Sequence, residues 1–186
     1  MHLNPLRLGV ALVVAGALAL PGSALAADAT ATATIEGGSL SLSTSAAPSF
    51  SATLDGTDVT STYELPLTVE DLTGSGDGWN TTITSTQFKT EGADAHTLST
   101  SASSLTEVAS ECVKDATCTD PVNAVTYPLT VPAGATAPAA VKFFSAAAES
   151  GLGQFSLTPT VSVNIPADTY AGTYSSTITL ASVSGP

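Results

Sequence analysis

Few side chains in this sequence are suited to acid–base or nucleophilic chemistry, and their spacing limits what they can do. Glu70 and Asp71 are adjacent carboxylates, and glycosidases use a pair of carboxylates as their catalytic groups. Successive side chains of a strand point to opposite faces, so these two would not flank one substrate. His96 has no nucleophile motif such as G-x-S-x-G beside it, so a Ser-His-Asp arrangement is not predicted. The sequence therefore predicts no catalytic residues and no enzyme.

Metal ligands are equally sparse. Asp71 and Asp77 flank a glycine-rich stretch and offer the hard oxygen ligands that calcium takes, although the pattern does not match an EF-hand loop. Glycine–aspartate clusters are also typical of plain turns, so calcium remains an alternative to a turn. No metal site and no other cofactor are predicted.

The N-terminal segment predicts an exported protein. Arg7 precedes an almost purely apolar run over residues 8–20, which is shorter than the roughly 20 residues that span a bilayer as a helix. An A-x-A pattern of the kind that signal peptidase reads ends at Ala26. We therefore expect residues 1–26 to be a signal peptide, and residues 27–186 to form a secreted, extracellular chain without a transmembrane segment. An uncleaved membrane anchor is the alternative.

Cys112 and Cys118 are the only cysteines, and an even count in an exported chain predicts a disulfide. The loop that they would close is short, so the chain-entropy model credits the bond with about 2 to 3 kcal/mol. The spacing is not that of a C-x-x-C redox motif, and a zinc site would need further Cys or His nearby.

The net charge of the chain limits the classes of molecule that it can bind. Sixteen acidic residues stand against four Lys and Arg, giving a formal net charge of −12. Nucleic acids and anionic membranes are bound through Lys and Arg that neutralise phosphates. Lys89, Lys114 and Lys142 are too few and too scattered for such a patch, so nucleic acid is excluded as a partner.

Alternating apolar and polar residues predict a single all-β domain over residues 27–186. The predicted strands are residues 31–36 and 39–43, paired as a hairpin around Gly37-Gly38, then 50–54, 63–69, 79–85, 127–132, 141–144, 155–165 and 174–180. Residues 89–126 are predicted to be a variable loop region. The spacing of the predicted strands favours an antiparallel, Greek-key, Ig-like β-sandwich over βαβ units. A disordered Ser/Thr-rich stalk is the alternative that composition allows.

Two prolines lie within the predicted strands and affect where those strands can be placed in a sheet. Pro66 lies within the predicted strand 63–69 and indicates an edge position, because proline donates no ladder hydrogen bond. Pro159 lies within 155–165, where it predicts a bulge, an edge position or two short strands.

The only tryptophan, Trp79, follows three glycines at alternate positions, a pattern that predicts a specialised corner of the fold. Trp79 shares a parity with Thr81 and Ile83, which predicts a strand that begins at Trp79 and packs the indole inward. The alternative is an exposed indole that stacks on a ligand.

Three short motifs stand out beyond the strand pattern. They are Gly74-x-Gly76-x-Gly78-Trp79-Asn80, Gly151-Leu152-Gly153, and Ile165-Pro166-Ala167-Asp168-Thr169-Tyr170-Ala171-Gly172-Thr173-Tyr174 leading to a terminal Gly185-Pro186. Together they resemble the WxL-domain surface proteins of Gram-positive bacteria. The resemblance implies a secreted β-rich domain that associates non-covalently with peptidoglycan and assembles with other surface proteins. Neither Trp-x-Leu signature of that family is intact, since Asn80 and Thr81 follow Trp79.

These observations predict a secreted, non-catalytic cell-surface adhesion module whose partners are peptidoglycan or other surface proteins. The alternative is a structural subunit of a fimbria-like or coat assembly, whose edge strands pair with neighbouring copies. If binding uses exposed aromatic side chains, Trp79, Tyr170 and Tyr174 are the candidates, because a flat apolar face with a polar edge suits a sugar ring.

Overall fold

The computed structural model describes residues 32–186, and this part of the chain contains strands but no helix. Residues 32–35 have no regular structure, whereas Glu36–Pro186 form one compact unit. The predicted signal peptide, residues 1–26, lies outside the described residues. The strands are β1 Leu40–Ser43, β2 Val59–Glu64, β3 Leu67–Asp71, β4 Trp79–Thr86, β5 Lys89–Thr90, β6 Ser103–Cys112, β7 Leu129–Thr130, β8 Ala133–Gly134, β9 Val141–Ala146, β10 Gly153–Ile165, β11 Tyr174–Ser175 and β12 Ile178–Ser184.

Two main sheets face each other. The larger has the order β1-β3-β10-β6-β7, and β2 pairs with β10 beyond the end of β3. In the smaller sheet β12 lies on one side of β4, while β9 and β8 share the other side. Strands β11 and β5 form a separate short pair, and β4–β8 is the one parallel pairing among the described strands. The predicted all-β, antiparallel sandwich is confirmed, while its Greek-key connection stays a prediction.

Strand periodicity explains the core. In β10 the odd-numbered residues from Phe155 to Ile165 are buried and the even-numbered ones face outward, which is the parity that the sequence predicted. The buried apolar side chains of the two sheets make one cluster; its largest members are Trp79, Phe143, Phe155, Ile83, Leu105 and Leu157.

The long strand β10 is central, so the expectation of an edge position or two short strands at Pro159 is wrong. The proline lies where the neighbour changes, because Leu157 pairs with Leu67 of β3 and Thr160 pairs with Glu64 of β2. The break between β3 and β2 leaves a position at which no ladder donor is needed. The expected irregularity is present on the other side, where the register with β6 shifts directly after Thr160.

Several predicted elements differ from the structure. Residues 32–39 form no strand, so there is no hairpin at Gly37-Gly38, and β1 pairs with β3 instead. Residues 50–54 are irregular despite their alternation. The predicted strand 63–69 is interrupted at Leu65-Pro66. Two further predicted strands are shorter or divided in the structure. Of residues 127–132 only β7 is a strand, and residues 174–180 form β11 and the start of β12.

The loop predicted over residues 89–126 is also wrong, because it contains the ten-residue strand β6. Only the first residues of β6 alternate in burial, and the second half of the strand is largely exposed and polar. Pairing along β10 keeps this segment extended, so tertiary contacts override a weak local signal.

Candidate functional site

Trp79 is the first residue of β4, and its side chain is fully buried. The indole Nε1 donates a 2.8 Å hydrogen bond to the carbonyl oxygen of Gly151. The ring packs against Phe144 and Phe155, with centroids 5.7 and 6.4 Å away. The predicted inward-facing start of a strand is therefore present. A ligand-stacking role for Trp79 does not fit this geometry, because no face of the ring reaches solvent.

The glycine corner is the loop that carries the chain from β3 in the larger sheet to β4 in the smaller one. Its glycines Gly74, Gly76 and Gly78 all have positive φ, at 65°, 73° and 73°. At Gly78 a Cβ atom would also lie 2.8 Å from the carbonyl oxygen of Ala147. Both the backbone conformation and the available space therefore require glycine at position 78.

The glycine motifs meet at one end of the sandwich. Gly185 N–H donates to the carbonyl of Gly78 over 2.9 Å, and the Asn80 side-chain amide donates back to Gly185 over 2.7 Å. The indole of Trp79 joins the second motif to the first through Gly151. We call this region the glycine end; it comprises residues 74–80, 151–153 and 184–186.

The loop between the two cysteines lies against the glycine end. The Sγ atoms of Cys112 and Cys118 are 2.02 Å apart, which is a disulfide distance, and Cys112 is the last residue of β6. Thr119 N–H donates to the carbonyl of Leu152 over 2.8 Å, so the disulfide-closed loop runs beside the segment that receives the indole. A Cβ atom on Gly153 would approach the Sγ of Cys118 to 3.1 Å. The disulfide loop is thus packed directly on the second glycine motif.

Tyr170 and Tyr174 lie at the opposite end of the sandwich from Trp79. The eight residues of β4, about 25 Å at roughly 3.3 Å per residue, separate the two regions. Tyr170 is 64% exposed, and one face of its ring stacks on His96 with centroids 3.8 Å apart and planes within 5°. The Tyr174 hydroxyl donates to the carbonyl oxygen of Tyr170 over 2.9 Å. The structure therefore brings two of the three candidate residues together and leaves Trp79 apart.

An uncharged cleft of about 990 Å³ opens beside the two tyrosines. Phe50 stacks on Tyr63 at 5.6 Å between ring centroids and meets Phe88 edge-on at 5.7 Å. The cleft is lined by these rings and by aliphatic side chains such as Ile178 and Leu180. Residues 44, 46–54 and 169–176 complete the lining. We call it the aromatic cleft.

Burial raises the pKa of the Tyr63 phenol to about 12, from 10.0. Stability gained by keeping this phenol neutral is complete below pH 10 and is lost as the pH rises towards 12. Tyr63→Phe removes the ionisable group but keeps the ring that stacks on Phe50. We expect the free energy of unfolding of the wild type, relative to Tyr63→Phe, to fall by about 2 kcal/mol across this window. Urea unfolding of both proteins below pH 10 and near pH 12 measures the difference, and parallel pH profiles would contradict it.

One known domain family matches almost all of the described chain. The family model described as "WxL domain surface cell wall-binding" matches residues 26–183. The chain belongs to the WxL domain family. Neither a curated protein nor a solved structure matches it. Membership makes the chain a surface domain of a cell wall-binding family, located outside the cell or in the wall. Residues 32–186 contain no helix that could span a membrane.

The side chains that suggested chemistry are kept apart in this WxL domain. Glu70 faces outward, where its carboxylate accepts a 3.2 Å hydrogen bond from Gln154, while Asp71 is buried and caps Thr73 through N–H and hydroxyl contacts of 3.1 and 2.6 Å. His96 is half-buried against Tyr170 and not freely solvated as a lone surface histidine would be. Within the described range no three His, Cys, Asp or Glu residues are grouped to hold a metal.

The lining of the aromatic cleft is the part of the WxL domain that sequence reasoning missed. Phe50 and Tyr63 carried strand signals, but nothing in their spacing indicated that they stack on each other or that Phe88 joins them. Because the three residues come from different segments, only the folded arrangement brings their rings to one place.

Proposed function

We propose that this WxL domain is a non-catalytic adhesion module that associates non-covalently with Gram-positive peptidoglycan. Residues 1–26 are its signal peptide, and residues 27–186 form one functional domain. Tyr170 contacts the glycan, while Tyr174 positions the segment that carries it. The family match gives no support to the alternative of a fimbria-like or coat subunit.

The exposure of Tyr170 is the observation that carries this proposal. It is the one mostly exposed aromatic side chain within residues 32–186, and one face of its ring is held by His96. The Tyr174 hydroxyl fixes the local backbone. A flat ring that is ordered before binding loses little conformational entropy when a sugar stacks on its free face.

Co-sedimentation with insoluble peptidoglycan tests the proposal. We expect saturable binding of residues 27–186, about three- to tenfold weaker in Tyr170→Ala because the stacking surface is lost. Tyr170→Phe keeps the ring and should bind as the wild type does. Absence of saturable binding by the wild type would overturn wall association. Equal binding by wild type and Tyr170→Ala would instead remove Tyr170 as the contact.

A further inference from the structure

The aromatic cleft adjoins the side chain to which the proposed function assigns the wall contact. Tyr170 and Tyr174 both line it. His96 covers one face of the Tyr170 ring but is not part of the lining, so the ring keeps a surface beside the cleft that His96 leaves free. A molecule that stacks on Tyr170 therefore lies next to the cleft.

The lining of the cleft carries no charge. Its polar side chains are all hydroxyls, although the protein has a formal net charge of −12. Acidic side chains are close by, because a smaller pocket that shares residues 171–173 and Ser175 with the lining contains Glu91 and Asp94. A charged group buried in the cleft would find no ionic partner there, which is costly. The cleft therefore favours the uncharged part of a wall polymer.

Unpaired backbone borders the cleft. All nine residues of the segment 46–54 line it, and the segment contains neither a turn nor a strand. Side chains of an extended chain alternate between opposite sides, so lining by residues of both parities brings the backbone itself to the cleft. Within residues 32–186, the backbone of residues 47–54 has one hydrogen bond, which the Ser51 carbonyl accepts from the Ser61 hydroxyl. The other backbone groups are free to bond to a ligand.

Aromatic and aliphatic side chains supply the apolar surface of the cleft. Phe50, Tyr63 and Phe88 are half-buried and pack on one another, and Leu54 is 37% exposed. The cleft volume of about 990 Å³ lies at the upper end of the range of roughly 300–1,000 Å³ for small-molecule sites. The cleft therefore has room for a ligand larger than one sugar ring.

We propose that the aromatic cleft binds the N-acetylated glycan strand of peptidoglycan, while the peptide stems stay outside it. This inference rests on the proposed wall association and names the part of the polymer that is recognised. The ring faces and acetyl methyl groups of the sugars pack on the aromatic rings and Leu54. The acetamido N–H and C=O groups bond to the free backbone of residues 47–54. Peptide stems carry carboxylates and amines, for which the lining has no partner.

Other uncharged occupants satisfy fewer of these groups. An acyl chain would cover the free backbone of residues 47–54 and the lining hydroxyls without bonding to them, so their desolvation would not be offset. A glucan without acetamido groups would keep the sugar ring faces but would lack the methyl group and the amide. The acetamido group is therefore the chemical feature that a test should isolate.

Titration calorimetry with the β-1,4-linked hexasaccharide of N-acetylglucosamine tests the inference, because this probe is a neutral glycan without peptide. The glucose hexasaccharide with the same linkage is the control that lacks the acetamido group. We expect the acetylated probe to bind about tenfold more tightly than this control. The acetylated probe should also slow hydrogen exchange at the amides of residues 49–54 at short labelling times, and should compete with insoluble peptidoglycan for the protein.

Two leucine variants locate the binding. Leu54→Ser removes an apolar side chain from the cleft. Leu72→Ser is the matched control, because Leu72 is also partly exposed, at 48%, and lies outside the lining. Affinity for the acetylated probe should fall about threefold in Leu54→Ser and stay unchanged in Leu72→Ser. Fluorescence of the buried Trp79 reports whether each variant is folded.

Three results would overturn the inference. The first is a wild type that sediments with peptidoglycan but does not bind the acetylated hexasaccharide, which leaves wall association standing and moves recognition to another part of the polymer. The second is equal affinity for the two hexasaccharides. The third is equal affinity of the two leucine variants for the acetylated probe. Hexasaccharide binding by a wild type that does not sediment would instead contradict peptidoglycan as the source of the glycan and leave the cleft as a site for N-acetylated sugars.

Discussion

Replacing Gly151 with alanine is expected to destabilise the protein by about 3 to 4 kcal/mol. The residue has φ of +73°, which costs an L-residue about 1 to 2 kcal/mol. A Cβ atom there would also lie 2.7 Å from the Trp79 Nε1 and collide with the Cβ of Ala146, and such overpacking typically costs a further 1 to 3 kcal/mol. Chemical denaturation followed by the fluorescence of the single tryptophan measures the loss.

The matched control is Gly74→Ala. Gly74 has a similar φ of +65°, but a Cβ atom there would meet nothing within 4 Å. Only the conformational cost of about 1 to 2 kcal/mol is then expected. Similar losses for the two variants would mean that space around the indole is not what requires glycine at position 151.

Strand character was predictable where apolar and polar residues alternate over a long run, as in β10. The parity of β10 and the inward direction of Trp79 both follow from a period of two. The irregular segment 50–54 shows the limit of this signal. Its residues alternate equally well, but Phe50 is used for stacking on Tyr63, and no neighbouring strand offers the segment a ladder.

Other features depended on contacts that are distant in sequence. Strand β6 is stabilised by its pairing with β10 and carries few apolar residues of its own. The continuity of β10 through Pro159 depends on the break between β2 and β3, which lies about a hundred positions earlier. For the candidate site, residue type indicated Tyr170 and Tyr174. The stacking of His96 on Tyr170 was not predictable, because only the folded loop brings the two rings together.

The glycine end and the tyrosine end have different physical roles. At the glycine end the motifs that resemble the family bond to one another, through a buried hydrogen bond to Gly151 and a partly buried one to Gly185. At the other end Tyr170 is exposed and the aromatic cleft is open. We infer that the glycine motifs maintain the fold, while contacts with other molecules are made about 25 Å away, at roughly 3.3 Å for each residue of β4.

Trp79 variants test this division of roles. Trp79→Ala should destabilise the protein by about 4 kcal/mol, because it leaves a large cavity and removes the indole N–H from the Gly151 carbonyl. Trp79→Phe keeps a ring between Phe144 and Phe155 but lacks the donor, so a smaller loss of about 2 kcal/mol is expected. Thermal unfolding followed by circular dichroism measures both losses without using tryptophan fluorescence.

Peptidoglycan binding by Trp79→Phe then distinguishes a structural role from a ligand contact. Since the indole is fully buried, the folded variant should bind with an affinity within about twofold of the wild type, a difference of less than 0.5 kcal/mol. Tyr170→Ala should lose affinity while retaining wild-type stability, because its side chain is mostly exposed. If Trp79→Phe remains folded at the assay temperature but no longer sediments with the wall, the glycine end takes part in binding and the two roles are not separate.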